Sequence, residues 1–217
     1  MSVLHCLAQK MNSKLAPGER LDDLGAGLKI IQHRDLFAFS VDAVLLANFV
    51  SLFQGDSVVD LGSGTGVIPL LLSRRRSLQN IIGLEIQGQM VALSRRSVAL
   101  NRLENLIEII HGDLCQIRDI LPPEQFDVVI ANPPYLPANT GLISKGRAVA
   151  VARHELCCTL EAVVRAAAWL VRFGGKFAVV HKAQRLPAIC KLLSAKKLEP
   201  KRMRLVHARP GKNGELV

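Results

Sequence analysis

The chain has 217 residues, of which 49% are hydrophobic and 21% are charged, and its formal net charge is +10. This composition is typical of a folded globular protein and excludes an intrinsically disordered chain. Every apolar run is shorter than the roughly 20 residues needed to cross a bilayer, which excludes a membrane-spanning helix. The first residues lack the pattern of a secretion signal, so we expect a cytoplasmic protein with no membrane partner.

The positive charge is concentrated near the C-terminus. Residues 1–171 contain 16 Lys and Arg against 16 Asp and Glu, whereas residues 172–217 contain 12 against 2. This asymmetry favours a polyanionic partner, and nucleic acid is the commonest one. The alternative is a basic, solvated surface that serves solubility.

The cysteines indicate reduced thiols rather than disulfides or a metal site. Their number is odd and no Cys-x-x-Cys pair occurs among Cys6, Cys115, Cys157, Cys158 and Cys190. Because adjacent cysteines are poorly placed to bind one tetrahedral ion, we expect no metal at His154, Cys157 and Cys158.

Three segments are predicted along the chain. Residues 1–20 are expected to form an N-terminal extension, residues 21–56 a cap made of a hairpin and a helix, and residues 57–217 the main domain. Within the cap, residues 28–39 are typical of a strand or hairpin. The helix that follows is predicted to begin after Ser40 as N-cap, with Asp42 in its first turn, where a negative charge suits the helix dipole.

Strands and helices alternate through the main domain. Strands are predicted at residues 57–61, 80–86, 106–111, 126–131, 176–181 and 202–208, and helices at residues 67–76, 89–103, 159–173 and 184–197. The third of these helices is expected to end at Gly174 and Gly175. This alternation predicts an α/β fold with a doubly wound, mostly parallel sheet of the seven-stranded type, whose last strand is truncated.

A glycine-rich loop joins the first strand of the main domain to its helix. It consists of Gly62, Ser63, Gly64, Thr65 and Gly66. Glycines let a backbone turn sharply and approach a ligand closely, and open α/β sheets bind ligands beyond the carboxyl ends of their strands. The preceding Asp60 would repel a pyrophosphate and attract a cation. We therefore predict S-adenosylmethionine, which carries an ammonium and a sulfonium but no phosphate.

Two further acids follow neighbouring strands. Glu85 ends the second strand, where a carboxylate can accept both hydroxyls of a ribose. Asp113, followed by Leu114, comes after the third strand and can accept from an adenine amine. Each acid alone is common at a solvated strand end, but three around one glycine loop indicate a cofactor site.

Four stretches in order, "DLGSGTG", "GLEI", "HGDL" and "NPPY", resemble class I S-adenosylmethionine-dependent methyltransferases. The flanking "LKIIQHRDLFAFSVDAVLLANFV" and "ARHELCCTLEAVVRAAAWL" resemble the bacterial tRNA1(Val) adenine N6-methyltransferase family. The similarity covers about residues 19–210. It implies a Rossmann-like, S-adenosylmethionine-binding methyltransferase domain at residues 57–217 that methylates the adenine beside the anticodon of a valine tRNA. The first 18 residues and the short C-terminus depart from that family.

The resemblance implies that "NPPY" is the catalytic loop. Pro133 and Pro134 stiffen it, because proline lacks an N–H and has a fixed φ. The side-chain oxygen of Asn132 and the carbonyl of Pro133 can accept the two N–H groups of an exocyclic adenine amine and stabilise its developing positive charge. Tyr135 can stack on the base, an interaction worth about 1–3 kcal/mol. No dedicated base is expected, since orientation supplies much of the effect. On composition alone the motif is more typical of a stiff turn without chemistry, but its position after the fourth strand of this sheet favours a functional loop.

Other candidate residues flank this loop. Phe39, Ser40 and Asp42 are expected beside the methionine end of the cofactor, although Phe39 is equally typical of a core residue and Asp42 of a helix-dipole partner. Residues 136–153 are long enough to be a target-facing lid. The residues predicted to contact RNA phosphates are Lys145, Arg147, Arg153, Lys201, Arg202 and Arg204.

Three other functions fit the same residues. A glutamine side-chain amide presents the same planar NH2 as adenine, so a protein glutamine N5-methyltransferase is one alternative, and a ribosomal RNA guanine N2-methyltransferase is another. The third is an RNA-binding module that retains a cofactor fold without catalysis. The intact Asn132 and the three acids favour an enzyme.

Overall fold

The computed structural model describes residues 15–135 and 159–217. Ahead of the main sheet, strand β1 (Glu19–Gly25) pairs antiparallel with β2 (Leu28–His33), and helix α1 (Val41–Phe49) follows. A strand within residues 28–39 is confirmed, but it ends at His33, and its hairpin partner β1 begins at Glu19, inside the predicted extension. The division into extension, cap and main domain stays a prediction.

Five parallel strands form the central sheet. They are β3 (Ser57–Leu61), β4 (Asn80–Glu85), β5 (Ile107–His111), β6 (Phe126–Ala131) and β7 (Val171–Val179), in the spatial order β5-β4-β3-β6-β7. The helices between and after them are α2 (Val67–Leu72), α3 (Gly88–Leu100), α4 (Ile117–Ile120), α5 (Leu160–Leu170) and α6 (Leu186–Ala195). The predicted doubly wound parallel sheet is confirmed. Its strand order reverses between β3 and β6, which is where such sheets bind ligands.

Both faces of the sheet are buried, which explains the β-branched, continuously apolar strands. Successive strand residues point to opposite faces. Val58 packs in the cluster that contains residues of α1, α2 and α3, whereas Val59 packs with α4 and α5. The strand ends that carry the site are therefore held between two helical layers.

Side chains of α3 fasten the hairpin to the main domain. The hydroxyl of Ser97 accepts the Ile31 N–H at 2.9 Å, and the Asn101 side-chain oxygen accepts the Lys29 N–H at 2.9 Å. These side chains pair backbone groups that the edge of β2 would otherwise leave without partners. The hairpin is thereby fixed beside the helix that follows the second strand of the main sheet.

The helix predicted at residues 159–173 ends earlier than expected. Thr159 is its N-cap and accepts the Ala162 N–H at 3.1 Å, but the helix stops at Leu170 and β7 begins at Val171. The backbone carbonyl of Leu170 accepts the N–H of Gln125 at 3.1 Å, so tertiary pairing overrides the apolar periodicity. Gly174 lies within β7 rather than after the helix, with φ at 74°.

The strand predicted at residues 202–208 is also wrong in extent. Only Val206–His207 is a strand (β8), and it pairs with β9 (Gly214–Leu216) in a separate two-stranded sheet. Over the described residues the central sheet therefore has five strands rather than seven. Arg202 and Arg204 are exposed, which agrees with their lying outside the central sheet, because a central strand would bury both charges. No described helix is both long enough and apolar enough to cross a membrane.

Candidate active site

The glycine loop lies at the carboxyl end of β3. Gly62, Gly64 and Gly66 have φ values of 74°, 56° and 81°, in the left-handed region that glycine adopts without strain. The N–H groups of Gly62 and Ser63 both donate to the Leu84 carbonyl, at 2.8 and 3.0 Å, which ties the loop to the end of β4. A Cβ on Gly62 or Gly64 would meet nothing within 4 Å, so this side of the loop is open to a ligand.

The underside of the loop packs against the fold. Gly66 is the N-cap of α2, and a Cβ there would overlap the Ser94 hydroxyl of α3. Ser63 and Thr65 are buried, and the Ser63 hydroxyl lies over Gly83 of β4. The loop thus has a packed side and an open side.

Asp60 is a buried carboxylate without a hydrogen-bond partner. Its side chain is 1% exposed, and neither oxygen has a partner among the described residues. Burial, and to a smaller extent the Glu85 carboxylate, raise the pKa of Asp60 to about 8. Buried polar groups are normally satisfied, so this orphaned pair of oxygens beside an open glycine loop fits a cationic ligand group. The ammonium of S-adenosylmethionine is such a group.

Glu85, at the end of β4, is almost completely buried. One carboxylate oxygen accepts the Gly64 N–H at 2.8 Å, and the other accepts the Gln87 N–H at 2.8 Å. These bonds orient the carboxylate and fix the middle of the glycine loop. The predicted contact of Glu85 with ribose hydroxyls stays a prediction.

The third acid, Asp113, stabilises the turn in which it lies. Asp113 is half-buried, and it accepts the Cys115 N–H at 2.8 Å, capping a short 3-10 helix at Leu114–Gln116. Leu114 is buried in the core beside α5. The turn places Asp113 just beyond the end of β5, as predicted. Its contact with adenine stays a prediction.

The NPPY loop leaves the sheet beside the glycine loop. Leu61 of β3 pairs with Ala131 of β6, so the next residues, Gly62 and Asn132, follow neighbouring strand ends. The structure therefore brings together the two motifs that the sequence placed 70 residues apart. Of the two prolines in the loop, the first is buried and the second is exposed.

Tyr135 is held in position by Asp42 of helix α1. Its hydroxyl donates to the Asp42 carboxylate at 2.8 Å and lies 3.0 Å from the Asn132 side-chain oxygen. Burial and the Asp42 carboxylate raise the pKa of Tyr135 well above its usual range, so the phenol stays protonated. Asp42 was predicted near the cofactor, and the structure places it against the NPPY loop.

Sequence reasoning missed His181, which lies just after β7. It is 4% exposed, and its ring centroid is 5.2 Å from that of Tyr135, with the planes tilted by 51°. Its Nδ1 accepts the Lys182 N–H at 2.8 Å, so a neutral ring carries its proton on Nε2. Burial, followed by the charges of Arg185 and Lys182, lowers the pKa of His181. A polar residue at the end of an apolar strand, as with Asp60, was the signal available.

Phe39 and Ser40 have structural surroundings. Phe39 packs partly buried against the core, and its N–H donates to the Gln32 side-chain oxygen at 3.1 Å. Ser40 is the N-cap of α1 by position, but its hydroxyl makes no capping hydrogen bond. Their predicted contacts with the cofactor stay predictions.

The residues predicted to contact RNA fall into two groups. Lys145, Arg147 and Arg153 lie outside the described residues, as does the predicted lid at residues 136–153. In the second group, Lys201 pairs with Glu199 and both arginines lie over the ring of Phe49. Their guanidinium carbons are 4.1 Å (Arg202) and 5.7 Å (Arg204) from the ring centroid.

A metal site is not found in the part of the chain that the structure describes. Residues 15–135 and 159–217 contain no group of three His, Cys, Asp or Glu side chains that could hold an ion. The two described cysteines, Cys115 and Cys190, are not joined in a disulfide.

The relatives found among curated proteins include several tRNA1(Val) (adenine(37)-N6)-methyltransferases. The tRNA1(Val) (adenine(37)-N6)-methyltransferase of Bacteroides thetaiotaomicron is 30% identical over 140 residues, which are 64% of this chain and 57% of that protein. The protein of the same name from Phocaeicola vulgatus is 26% identical over 176 residues, 81% of this chain and 73% of that protein. The chain thus spans less than two thirds of the first relative and about three quarters of the second.

Solved structures with the same fold include a predicted O-methyltransferase from Agrobacterium tumefaciens, with a TM-score of 0.60 and 23% identity over 81% of this chain and 77% of that one. TrmN from Thermus thermophilus has a TM-score of 0.50 and 22% identity over 76% of this chain and 42% of that one. The profile of the methyltransferase small domain family matches residues 27–195. With a class I methyltransferase fold and this match over most of its length, the chain belongs to the methyltransferase small domain family.

Proposed function

We propose that this methyltransferase transfers a methyl group from S-adenosylmethionine to N6 of an adenine in RNA, most specifically the adenine beside the anticodon of a valine tRNA. The relatives support the target, since their names specify N6 of adenine 37 in tRNA1(Val). One structural observation carries the proposal: Asn132 follows the strand end next to the glycine loop, and Tyr135 contacts its side chain. A tRNA substrate agrees with the expected cytoplasmic location.

The residues around the glycine loop fit the cofactor. Asp60 offers two buried oxygens without partners to an ammonium, and the open side of Gly62 and Gly64 leaves room for a ligand against the backbone. Glu85, oriented by two N–H groups, is the expected acceptor for ribose hydroxyls. When bound, S-adenosylmethionine supplies an electrophilic methyl group on a positively charged sulfur.

The NPPY loop presents acceptors to the target amine. The lone pair of an exocyclic amine is delocalised into the base, so the amine must be turned before its nitrogen can attack. Asn132 and the carbonyl of Pro133 accept one N–H each, which favours a tetrahedral nitrogen and stabilises the positive charge that develops on it. The two prolines keep the acceptors from relaxing away.

Tyr135 and Asp42 set the orientation of the Asn132 amide. A phenol has one proton, and the Asp42 carboxylate is the stronger acceptor, so the hydroxyl of Tyr135 is committed to Asp42. A half-turn of the Asn132 amide then places its NH2 against the phenol oxygen and directs its own oxygen at the target. The oxygen and nitrogen of an amide are distinguished by this kind of network.

Radiolabelled S-adenosylmethionine tests the proposal directly. The protein is incubated with separate tRNA, ribosomal RNA, DNA and protein fractions, and the labelled product is identified by mass spectrometry. We expect N6-methyladenosine in the tRNA fraction. Label in methylglutamine or in N2-methylguanosine would instead support the protein or ribosomal RNA alternatives, and a cofactor-binding chain that labels nothing would support the binding module.

A further inference from the structure

Two cationic residues lie close in sequence to His181, the residue that contacts the NPPY loop. Lys182 follows His181 directly and Arg185 lies three residues further on, and the ring centroids of His181 and Tyr135 are 5.2 Å apart. Both cations act electrostatically on His181, since their charges contribute to its lowered pKa. They therefore follow the end of β7, the strand that pairs with β6, and the NPPY loop follows β6.

One turn of backbone places these two residues on the same side. The Arg185 N–H donates to the Lys182 carbonyl at 2.9 Å, which closes a 3-10 turn over Ala183–Arg185. Residues three apart in such a turn lie one above the other. C-terminal strand β9 braces the turn, because Lys182 bridges Leu216 and both backbone groups of His181 bond to Val217 at 2.9 Å.

Both charges are available to an external anion. Lys182 and Arg185 are exposed, and neither forms an ion pair with any residue the structure describes. The nearest acid along the chain is Glu199, which pairs with Lys201, and the exposed Glu215 of β9 makes no ion pair with Lys182 or Arg185. Asp42, the carboxylate on the other side of Tyr135, already accepts the phenol proton.

The C-terminal cations predicted from the sequence are less available. Lys201 is paired with Glu199, and Arg202 donates to the Ser51 hydroxyl at 3.1 Å and to the Phe49 carbonyl. A phosphate could recruit these groups only by breaking contacts that they already make. The side chains of Lys182 and Arg185 form no such contacts with the described residues, so a phosphate would not have to displace a partner.

We propose that Lys182 and Arg185 bind backbone phosphates of the RNA next to the target base, so that the strand enters along the carboxyl end of β7. This inference rests on the proposed RNA substrate. It assigns the phosphate contacts nearest the chemistry to the turn after His181 rather than to residues 201–204.

The salt dependence of RNA binding tests this assignment. The variant Lys182→Gln/Arg185→Gln is compared with the control Lys196→Gln/Lys197→Gln, which removes the same charge at the far end of α6, also from exposed side chains without ion pairs to described residues. Affinity for an unmodified valine tRNA transcript is measured by fluorescence anisotropy from 50 to 300 mM KCl, with S-adenosylhomocysteine present.

Each lost phosphate contact reduces the slope of log K against log salt by about 0.7–0.9. We expect a slope shallower by about 1.4–1.8 and affinity at least 10-fold weaker for Lys182→Gln/Arg185→Gln, with the control slope changed by less than half as much. The charge-preserving variant Lys182→Arg/Arg185→Lys should restore most of the slope, which separates charge from a folding defect. Equal slopes in the first variant and the control would overturn the assignment.

The methylation assay separates this inference from the proposed function. If the wild-type protein methylates tRNA and the salt slopes of variant and control are equal, only the phosphate assignment is wrong. If the wild-type protein neither binds nor methylates RNA but labels another acceptor, the proposed function is wrong and the phosphate assignment is overturned with it.

Discussion

The Tyr135 hydroxyl donates to the Asp42 carboxylate at 2.8 Å, joining the loop after β6 to the first turn of α1 across 93 residues of sequence. The same hydroxyl lies 3.0 Å from the side chain of Asn132. Helix α1 is thus part of the site, because its residue Asp42 accepts the hydrogen bond that fixes the position of Tyr135, the only tyrosine in the chain.

Removing this hydroxyl should impair turnover more than cofactor binding. A hydrogen bond to a charged group is worth about 1.5–3 kcal/mol, so Tyr135→Phe should lower kcat roughly 10- to 150-fold. Affinity for S-adenosylhomocysteine, measured by calorimetry, should stay within about twofold of the wild type. Asp42→Ala should give a similar loss and Asp42→Asn a smaller one, since an amide can still accept. A Tyr135→Phe enzyme with wild-type kcat would show that the phenol positions nothing.

The pKa of Asp60 predicts a pH-dependent cofactor affinity. Its carboxyl group titrates at about 8 in the protein without ligand, and only the ionised form attracts an ammonium. Affinity for S-adenosylhomocysteine should therefore rise up to tenfold per pH unit from pH 6 to about 8, with release of a proton on binding. Calorimetry in buffers of different ionisation enthalpy measures both effects. Asp60→Asn should bind weakly with little pH dependence; a wild-type affinity that is flat over this range would contradict the role of Asp60.

Ionisation of Asp60 has the opposite effect on folding stability: it strengthens cofactor binding but destabilises the ligand-free protein. Because the folded pKa lies above the unfolded value near 4, the folded protein binds the extra proton between these values, and its stability falls as pH rises through them. The loss is up to about 1.4 kcal/mol per pH unit and ends above pH 8. Denaturant unfolding of the ligand-free protein at pH 6, 7 and 8 should show it, and Asp60→Asn should remove the Asp60 contribution. Equal pH dependence in the two proteins would argue against a buried, unpartnered carboxyl.

The packed side of the glycine loop predicts a coupled pair of substitutions. A Cβ at Gly66 would overlap the Ser94 hydroxyl and would also occupy a φ of 81°. Gly66→Ala should therefore cost about 1–3 kcal/mol of unfolding free energy, part from the clash and part from the backbone. Adding Ser94→Ala should recover the stability lost to the clash, but not the stability lost to backbone strain. If the two losses are simply additive in a double-mutant cycle, the contact does not limit this position.

The acids were predictable because parallel strands end together. A polar residue at the end of each apolar run, such as Asp60, Glu85 or Asp113, must reach the same edge of the sheet whatever the details of packing. The positions of the glycine loop and the NPPY motif follow from the same reasoning, whereas the catalytic role of NPPY came from the resemblance. Their adjacency follows from the pairing of β3 with β6.

What the sequence did not reveal depends on strand order and side-chain contacts. His181 contacts Tyr135 only because β7 lies beside β6, and nothing in "KFAVVH" specifies that neighbour. The early end of α5 depends on pairing of Val171 with Phe126, which competes with an apolar pattern that continues as a helix. The RNA contacts of Arg202 and Arg204 stay a prediction, and their stacking on Phe49 could not be foreseen without knowing where α1 ends.

The rate of methyl transfer by Asn132→Ala tests the central claim most directly, namely that the NPPY loop presents oxygen acceptors to an exocyclic amine. In single-turnover assays with a valine tRNA transcript, we expect N6-methyladenosine to form at least 100-fold more slowly than with the wild type, since removing one such preorganised group typically has an effect of this size. Calorimetry should show unchanged binding of S-adenosylhomocysteine. An Asn132→Ala enzyme that methylates tRNA at the wild-type rate would contradict the account.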